Sequence, residues 1–73
     1  MLEHLRGLRE DRDLNQTEMA KLLNVHQTTY SNYELERGNI PIPTLRRLAI
    51  FFDTSVDYLL DMTDERAPYP RKK

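Results

Sequence analysis

Cysteine is absent from the 73 residues, so neither disulfides nor a thiolate metal site can hold this chain together, and thiol chemistry is excluded. Long apolar runs are absent too. None approaches the roughly 20 residues that span a bilayer, and no basic segment leads into an apolar one at the start, so the expected setting is cytoplasmic. An excess of positive charge is also lacking. The formal net charge is −1 and no stretch of the chain is strongly basic, which argues against a non-specific nucleic-acid coat protein. Glycine-rich phosphate loops, metal-ligand clusters and nucleophile-base pairs are missing, so an enzyme is the poorest reading and no cofactor, metal or small-molecule ligand is expected. His4 and His26, twenty-two positions apart with no carboxylates arranged around them, read as surface histidines. There are no repeats. With this length, one domain must fold by side-chain packing alone.

Helical periodicity is what the chain does have. Leu2, Leu5 and Leu8 recur every third residue among charged neighbours, predicting an amphipathic first helix that ends near Arg12. Asn15 followed by Glu18 has the form of a capping box opening a second helix from Gln16 to Leu23. Asn24 then tolerates the left-handed conformation that leaves a helix, and Val25 buries the turn. A third helix from Gln27 to about Leu35 turns Tyr30 and Tyr33 inward and Gln27, Thr28, Ser31 and Asn32 outward. Tyr30 is read as a core residue with a partly exposed tip. Gly38, Asn39, Pro41 and Pro43 mark a loop, and Pro43 suits the first turn of a fourth helix carrying Leu45, Leu48, Ala49 and Phe52. Ser55 caps a last helix, Val56 to Leu60. The domain is expected to occupy residues 1–62. Residues 63–73, with their prolines and charges, read as an exposed tail, its Arg71, Lys72 and Lys73 either solubilising or an arm near DNA or a dimer partner.

The stretch from Gln16 to Tyr33 carries the functional information. Ala20 must be small where the third helix crosses the second, Asn24 can take a positive φ between them, and Val25, Tyr30 and Tyr33 pin the third helix to the core. That leaves an outward face of short amides and hydroxyls with no charge. Gln and Asn can hold adenine bidentately, and a Thr methyl can touch that of thymine.

NQTEMAKLLNVHQTTYSNYE resembles the helix-turn-helix of the phage-repressor/Cro family, often called the Xre family. LRGLREDRDLNQ before it and PTLRRLA and SVDYLL after it resemble the family's first, fourth and fifth helices, so the likeness covers nearly the whole chain. The resemblance implies an all-α, five-helix lambda-repressor-like domain that binds double-stranded DNA and regulates transcription, as a repressor on a pseudo-palindromic operator. It implies that Gln27, Thr28 and Asn32 read bases with Ser31 close by, that Gln16 meets a phosphate and braces Gln27, and that His26, Arg37 and Asn39 meet the backbone. Arg9 and Glu34 match a structural ion pair. A module this small makes few contacts, so a homodimer is expected, with the fifth helix and tail as the interface. The alternative is a protein-interaction module of the same fold, such as an antitoxin or adaptor, suggested by the acidic balance and by Glu36.

Three residues depart from the family pattern. His26 stands where a Ser or Thr N-cap is usual, Asn24 replaces the commoner Gly in the inter-helix turn, and Glu36 replaces a Gly just after the third helix. A left-handed Glu36 would cost roughly 1 kcal/mol. The expectation is therefore that the helix runs through Leu35 and Gly38 makes the turn.

Overall fold

The leucines spaced by three at the start of the chain form one buried stripe, and the rest of the fold is built around it. In a computed structural model, which describes residues 1–70, five helices follow one another: α1 (Glu3–Asp11), α2 (Gln16–Leu23), α3 (Gln27–Glu34), α4 (Ile42–Phe51) and α5 (Val56–Leu59). No strand occurs among the described residues. The core draws on every helix: Leu5 and Leu8 from α1, Met19, Ala20 and Leu23 from α2, Tyr30 and Tyr33 from α3, Leu48 and Ala49 from α4, and Leu59 from α5. Phe52, just past α4, completes it.

Local signals set the helix starts. Asn15 accepts the Glu18 amide at 2.8 Å while the Glu18 carboxylate accepts the Asn15 amide at 3.0 Å, the reciprocal box its sequence announces. Ser55 accepts the Tyr58 amide at 3.1 Å to open α5. Pro43 lies in the first turn of α4, where its missing N–H costs nothing. The first helix has no such local cap. Its Glu3 and His4 amides donate instead to the carboxylate of Asp61, both at 2.9 Å, from beyond the far end of α5. His4 reinforces the junction, since its ring stacks on Tyr58 at 3.9 Å and its Nδ1 donates to the Tyr58 carbonyl at 2.8 Å. It is half-buried in this contact rather than a simple surface histidine.

All five helices stop in the same way. A residue in the left-handed region follows each, at Asp13, Asn24, Glu36, Asp53 and Asp61, with φ between 51° and 59°. In each case its own amide and the next one return to carbonyls of the last turn, which satisfies acceptors the helix would otherwise leave open. Four of the five are Asp or Asn, the non-glycine residues that visit this region most readily. Glu36 is the exception, and it corrects the expectation that Gly38 makes the turn. α3 ends at Glu34, Leu35 is its cap, Glu36 has φ 59°, and neither glycine has a positive φ. The closing hydrogen bonds, Glu36 N–H to the Tyr33 carbonyl at 3.3 Å and Arg37 N–H to that of Asn32 at 3.0 Å, hold Glu36 there against its preference. The N-terminal ammonium also meets the Glu36 carboxylate at 2.9 Å.

Beyond Asp61 the chain turns back along the domain. Thr54 Oγ1 donates to the Arg66 carbonyl at 2.7 Å, Arg66 reaches Asp11 at 3.6 Å, and the Tyr69 hydroxyl donates to Asp57 at 3.1 Å. Most side chains there are exposed, but the segment to Pro70 is tethered to the fold at these points. Arg71, Lys72 and Lys73 lie outside the described residues.

Candidate nucleic-acid interface

α2 and α3 meet across a three-residue turn, Asn24 to His26. Ala20, 3% exposed, allows the close crossing, and Asn24 at φ 56° reverses the chain. Half-buried Val25 packs against the core beneath the turn. On the inner side of α3, Tyr30 and Tyr33 make an edge-to-face pair with ring centroids 6.3 Å apart. Tyr30 is wholly buried, which corrects the expected exposed tip: its hydroxyl cannot reach a phosphate. That hydroxyl lies beside Glu34 and Arg9 without making a hydrogen bond of acceptable geometry, and burial, with Glu34 adding to it, pushes its ionisation well above the usual phenolic range.

With the tyrosines inside, Gln27 and Thr28 are exposed and Ser31 and Asn32 half-buried on the outer side. The only ionisable side chain of α3 outside its two tyrosines is Glu34, which has no exposed surface, so the outward face of this helix carries no charge. Arg9 Nε donates to Glu34 at 2.7 Å and its Nη2 at 3.4 Å, while Nη1 donates to the Leu14 carbonyl at 2.8 Å. The guanidinium fork thus ties α1, the following loop and α3 together. The hydrogen bond from Glu34 also raises the Arg9 guanidinium above its ordinary value, against the opposing effect of burial.

Gln16 connects this pair to the outer face. Its Nε2 donates to Glu34 at 3.3 Å, and its Oε1 accepts from Gln27 Nε2 at 3.0 Å. The brace to Gln27 was expected of Gln16, but the link inward to Glu34 was not. It joins residues eighteen apart on different helices, and no spacing rule reveals it. His26 is exposed at the N-cap of α3 and makes no capping hydrogen bond with its side chain, so its ring is open to another partner. Arg37 and Asn39 are exposed in the segment after α3.

Residues 5–59 match the helix-turn-helix family. The chain belongs to this family, in its Xre-type form. A helix-turn-helix protein from Bacillus subtilis (strain 168), named uncharacterized HTH-type transcriptional regulator YobD, is 34% identical over 71 residues, or 97% of this chain. The chain spans 63% of that relative's length. No solved structure matches significantly. As a helix-turn-helix domain of five helices, the molecule has the lambda-repressor-like arrangement, with α2 and α3 as the motif. Among the described residues, no helix is long and apolar enough to cross a membrane.

One other surface of this helix-turn-helix domain stands out. Leu22, Ile50 and Phe51, 45%, 64% and 37% exposed, border an apolar groove of about 320 Å³ between α2 and α4. None of its lining residues comes from α3. Arg47, which donates to the Leu22 carbonyl at 2.8 Å and so closes the end of α2, forms part of its wall.

Proposed function

We propose that this chain is a sequence-specific DNA-binding regulator of transcription that lays α3 in the major groove. The observation that carries the reading is the uncharged outer face of α3, on the second helix of the motif, with Gln27 held in place by Gln16. A solvated helix face ordinarily carries Lys and Glu. A face of amides and hydroxyls matches the donors and acceptors of base edges instead. In this reading Gln27, Thr28 and Asn32 meet bases with Ser31 beside them, and Gln16, His26, Arg37 and Asn39 meet phosphates. Arg9 and Glu34 keep the scaffold rigid. The name of the Bacillus subtilis relative supports regulation of transcription.

The regulator acts as a repressor and binds as a homodimer on a pseudo-palindrome with half-sites about one helical turn apart, because one module of this size contributes too few contacts. Selection of bound sequences from random DNA, followed by fluorescence anisotropy on the selected duplex, tests the whole reading. Gln27→Ala should erase the preference at one position per half-site, at about 1 to 3 kcal/mol. An unchanged preference defeats the Gln27 assignment.

The apolar groove bordered by Leu22, Ile50 and Phe51 favours one second reading, a protein-interaction module of the same fold such as an antitoxin or adaptor. Weak binding to every DNA, insensitive to salt, together with a co-purifying protein would support it.

A further inference from the structure

We propose that the apolar groove between α2 and α4 is a docking site for an acidic amphipathic helix of another protein. Two matched seams form it. Met19 and Leu22 lie one turn apart on α2, and Arg47, Ile50 and Phe51 stand at i, i+3 and i+4 on α4, so the pair offers a trough to a third helix. The exposed apolar surface is concentrated here, because Leu22, Ile50 and Phe51 all border the one groove. A small molecule suits it poorly. Its volume of about 320 Å³ is at the foot of the range for such ligands, and Arg47, the only polar side chain lining it, already spends Nη2 on the Leu22 carbonyl. A few apolar side chains projecting from a helix need no orienting groups and fill the space.

The charge around the groove identifies the partner's chemistry. The Arg12 guanidinium lies 4.7 Å over the Phe51 ring at one edge, Arg47 forms part of the wall, and Lys21 lines the adjoining hollow beside Leu22. All three cations are exposed, and none is held in an ion pair among the described residues. No carboxylate lines the groove itself, and Glu18 in the adjoining hollow has one oxygen committed to the Asn15 amide. A helix with carboxylates flanking its apolar side therefore pairs with these cations as its apolar residues settle between α2 and α4. A second copy of this chain is excluded by the same charges. Groove against groove about a two-fold axis sets Arg12, Lys21 and Arg47 of each copy against the same cations. Nor does the chain carry an apolar helical stripe to insert, since of the large apolar side chains exposed elsewhere among the described residues only Ile42 lies on a helix. The groove takes nothing from α3, so a filled groove leaves the proposed DNA face open. The docking shares with the second reading above the premise that this groove is a protein contact, and it names the partner's chemistry.

The test uses two fluorescein-labelled peptides of about 16 residues, each an amphipathic helix with leucines at i, i+3, i+4 and i+7, titrated with the protein by anisotropy. One carries glutamates beside the leucines, the other lysines. The glutamate peptide should bind saturably, weaken with added salt, and exceed the lysine peptide by roughly tenfold, because exposed ion pairs contribute little singly but three act together. Ile50→Glu, at a position 64% exposed, should abolish binding of the glutamate peptide while the circular dichroism spectrum stays that of wild type. The double variant Arg12→Glu, Lys21→Glu should bring the ratio of the two peptides to unity or below. Should that variant be unfolded, Ile50→Glu and the wild-type ratio decide. Binding of neither peptide, equal binding of both, or binding that survives Ile50→Glu overturns the proposal. So does a wild-type dimer that Ile50→Glu converts to monomer in analytical ultracentrifugation, which gives the groove to a second copy. A protein that co-purifies with wild type and Ile50→Glu alike, where neither peptide binds, keeps the protein-interaction reading and removes this inference only.

Discussion

Replacing Arg9 by Met should destabilise the domain by about 4 kcal/mol. The Glu34 carboxylate has no solvent exposure, and the two donors from Arg9 are joined only by the longer bond from Gln16 at 3.3 Å. Methionine matches the length of the arginine stem but strands that charge, and breaking a buried pair in this way costs about 3 to 5 kcal/mol. The Leu14 carbonyl loses its 2.8 Å partner as well, though it lies close enough to the surface for water to replace much of that bond. A domain of 73 residues has roughly 4 to 11 kcal/mol in total, so the variant should be marginal at best. Urea unfolding followed by far-UV circular dichroism reads the loss. With a slope of about 1 kcal/mol per molar, the midpoint should fall by several molar, or the protein should already be unfolded without urea. The double variant Arg9→Met, Glu34→Met provides the control. With both charges gone the site is merely apolar, and stability should return to within about 1 kcal/mol of wild type. An Arg9→Met loss below about 1 kcal/mol, the range of exposed pairs, refutes the reasoning, as does a double variant no better than the single.

Three further outcomes follow from other features. Glu36→Gly relieves a left-handed side chain at φ 59° and should raise stability by about 1 kcal/mol, seen as a midpoint increase of about 4 to 8 °C in a thermal melt. Arg37→Ala, if Arg37 meets a phosphate, should weaken binding to all sequences alike and reduce the slope of log Kd against log salt by about 1. The Tyr30 hydroxyl is raised by burial, so its contribution to stability is complete below the ordinary phenolic value near 10 and is lost as the pH climbs beyond it. Melting temperatures measured from pH 8 to 11 should therefore fall less steeply in Tyr30→Phe than in wild type. At neutral pH that variant, which removes a buried hydroxyl lacking a partner, should be at least as stable as wild type.

What could be read from the residues alone was what neighbours along the chain decide. The Asn15–Glu18 box, the left-handed Asn24 and the Ser55 cap each depend on residues within a few positions, and all three are present. The leucine stripe of α1 was visible for the same reason. The Glu36 turn is not legible from local preference, because two closing hydrogen bonds overrule that preference. The depth of Tyr30 depends on how α1 and α3 pack, which one amphipathic side chain does not reveal. In the candidate site, the outward set Gln27, Thr28, Ser31 and Asn32 was legible from helical phase, and the brace from Gln16 from family likeness. The link from Gln16 to Glu34 and the cap that Asp61 places on α1 join segments distant in sequence, and only the folded chain brings them together.

That last contact makes the molecule a closed circuit. The first turn of α1 is finished by a carboxylate fifty-eight positions downstream, so on a ribosome the opening helix must wait, uncapped, until almost the whole domain has emerged. Neither end can then fray alone: releasing Asp61 opens the start of the chain, and unwinding the start leaves that carboxylate without its amides. Loss of the Asp61 carboxylate therefore loosens the start of α1 as well as the end of α5.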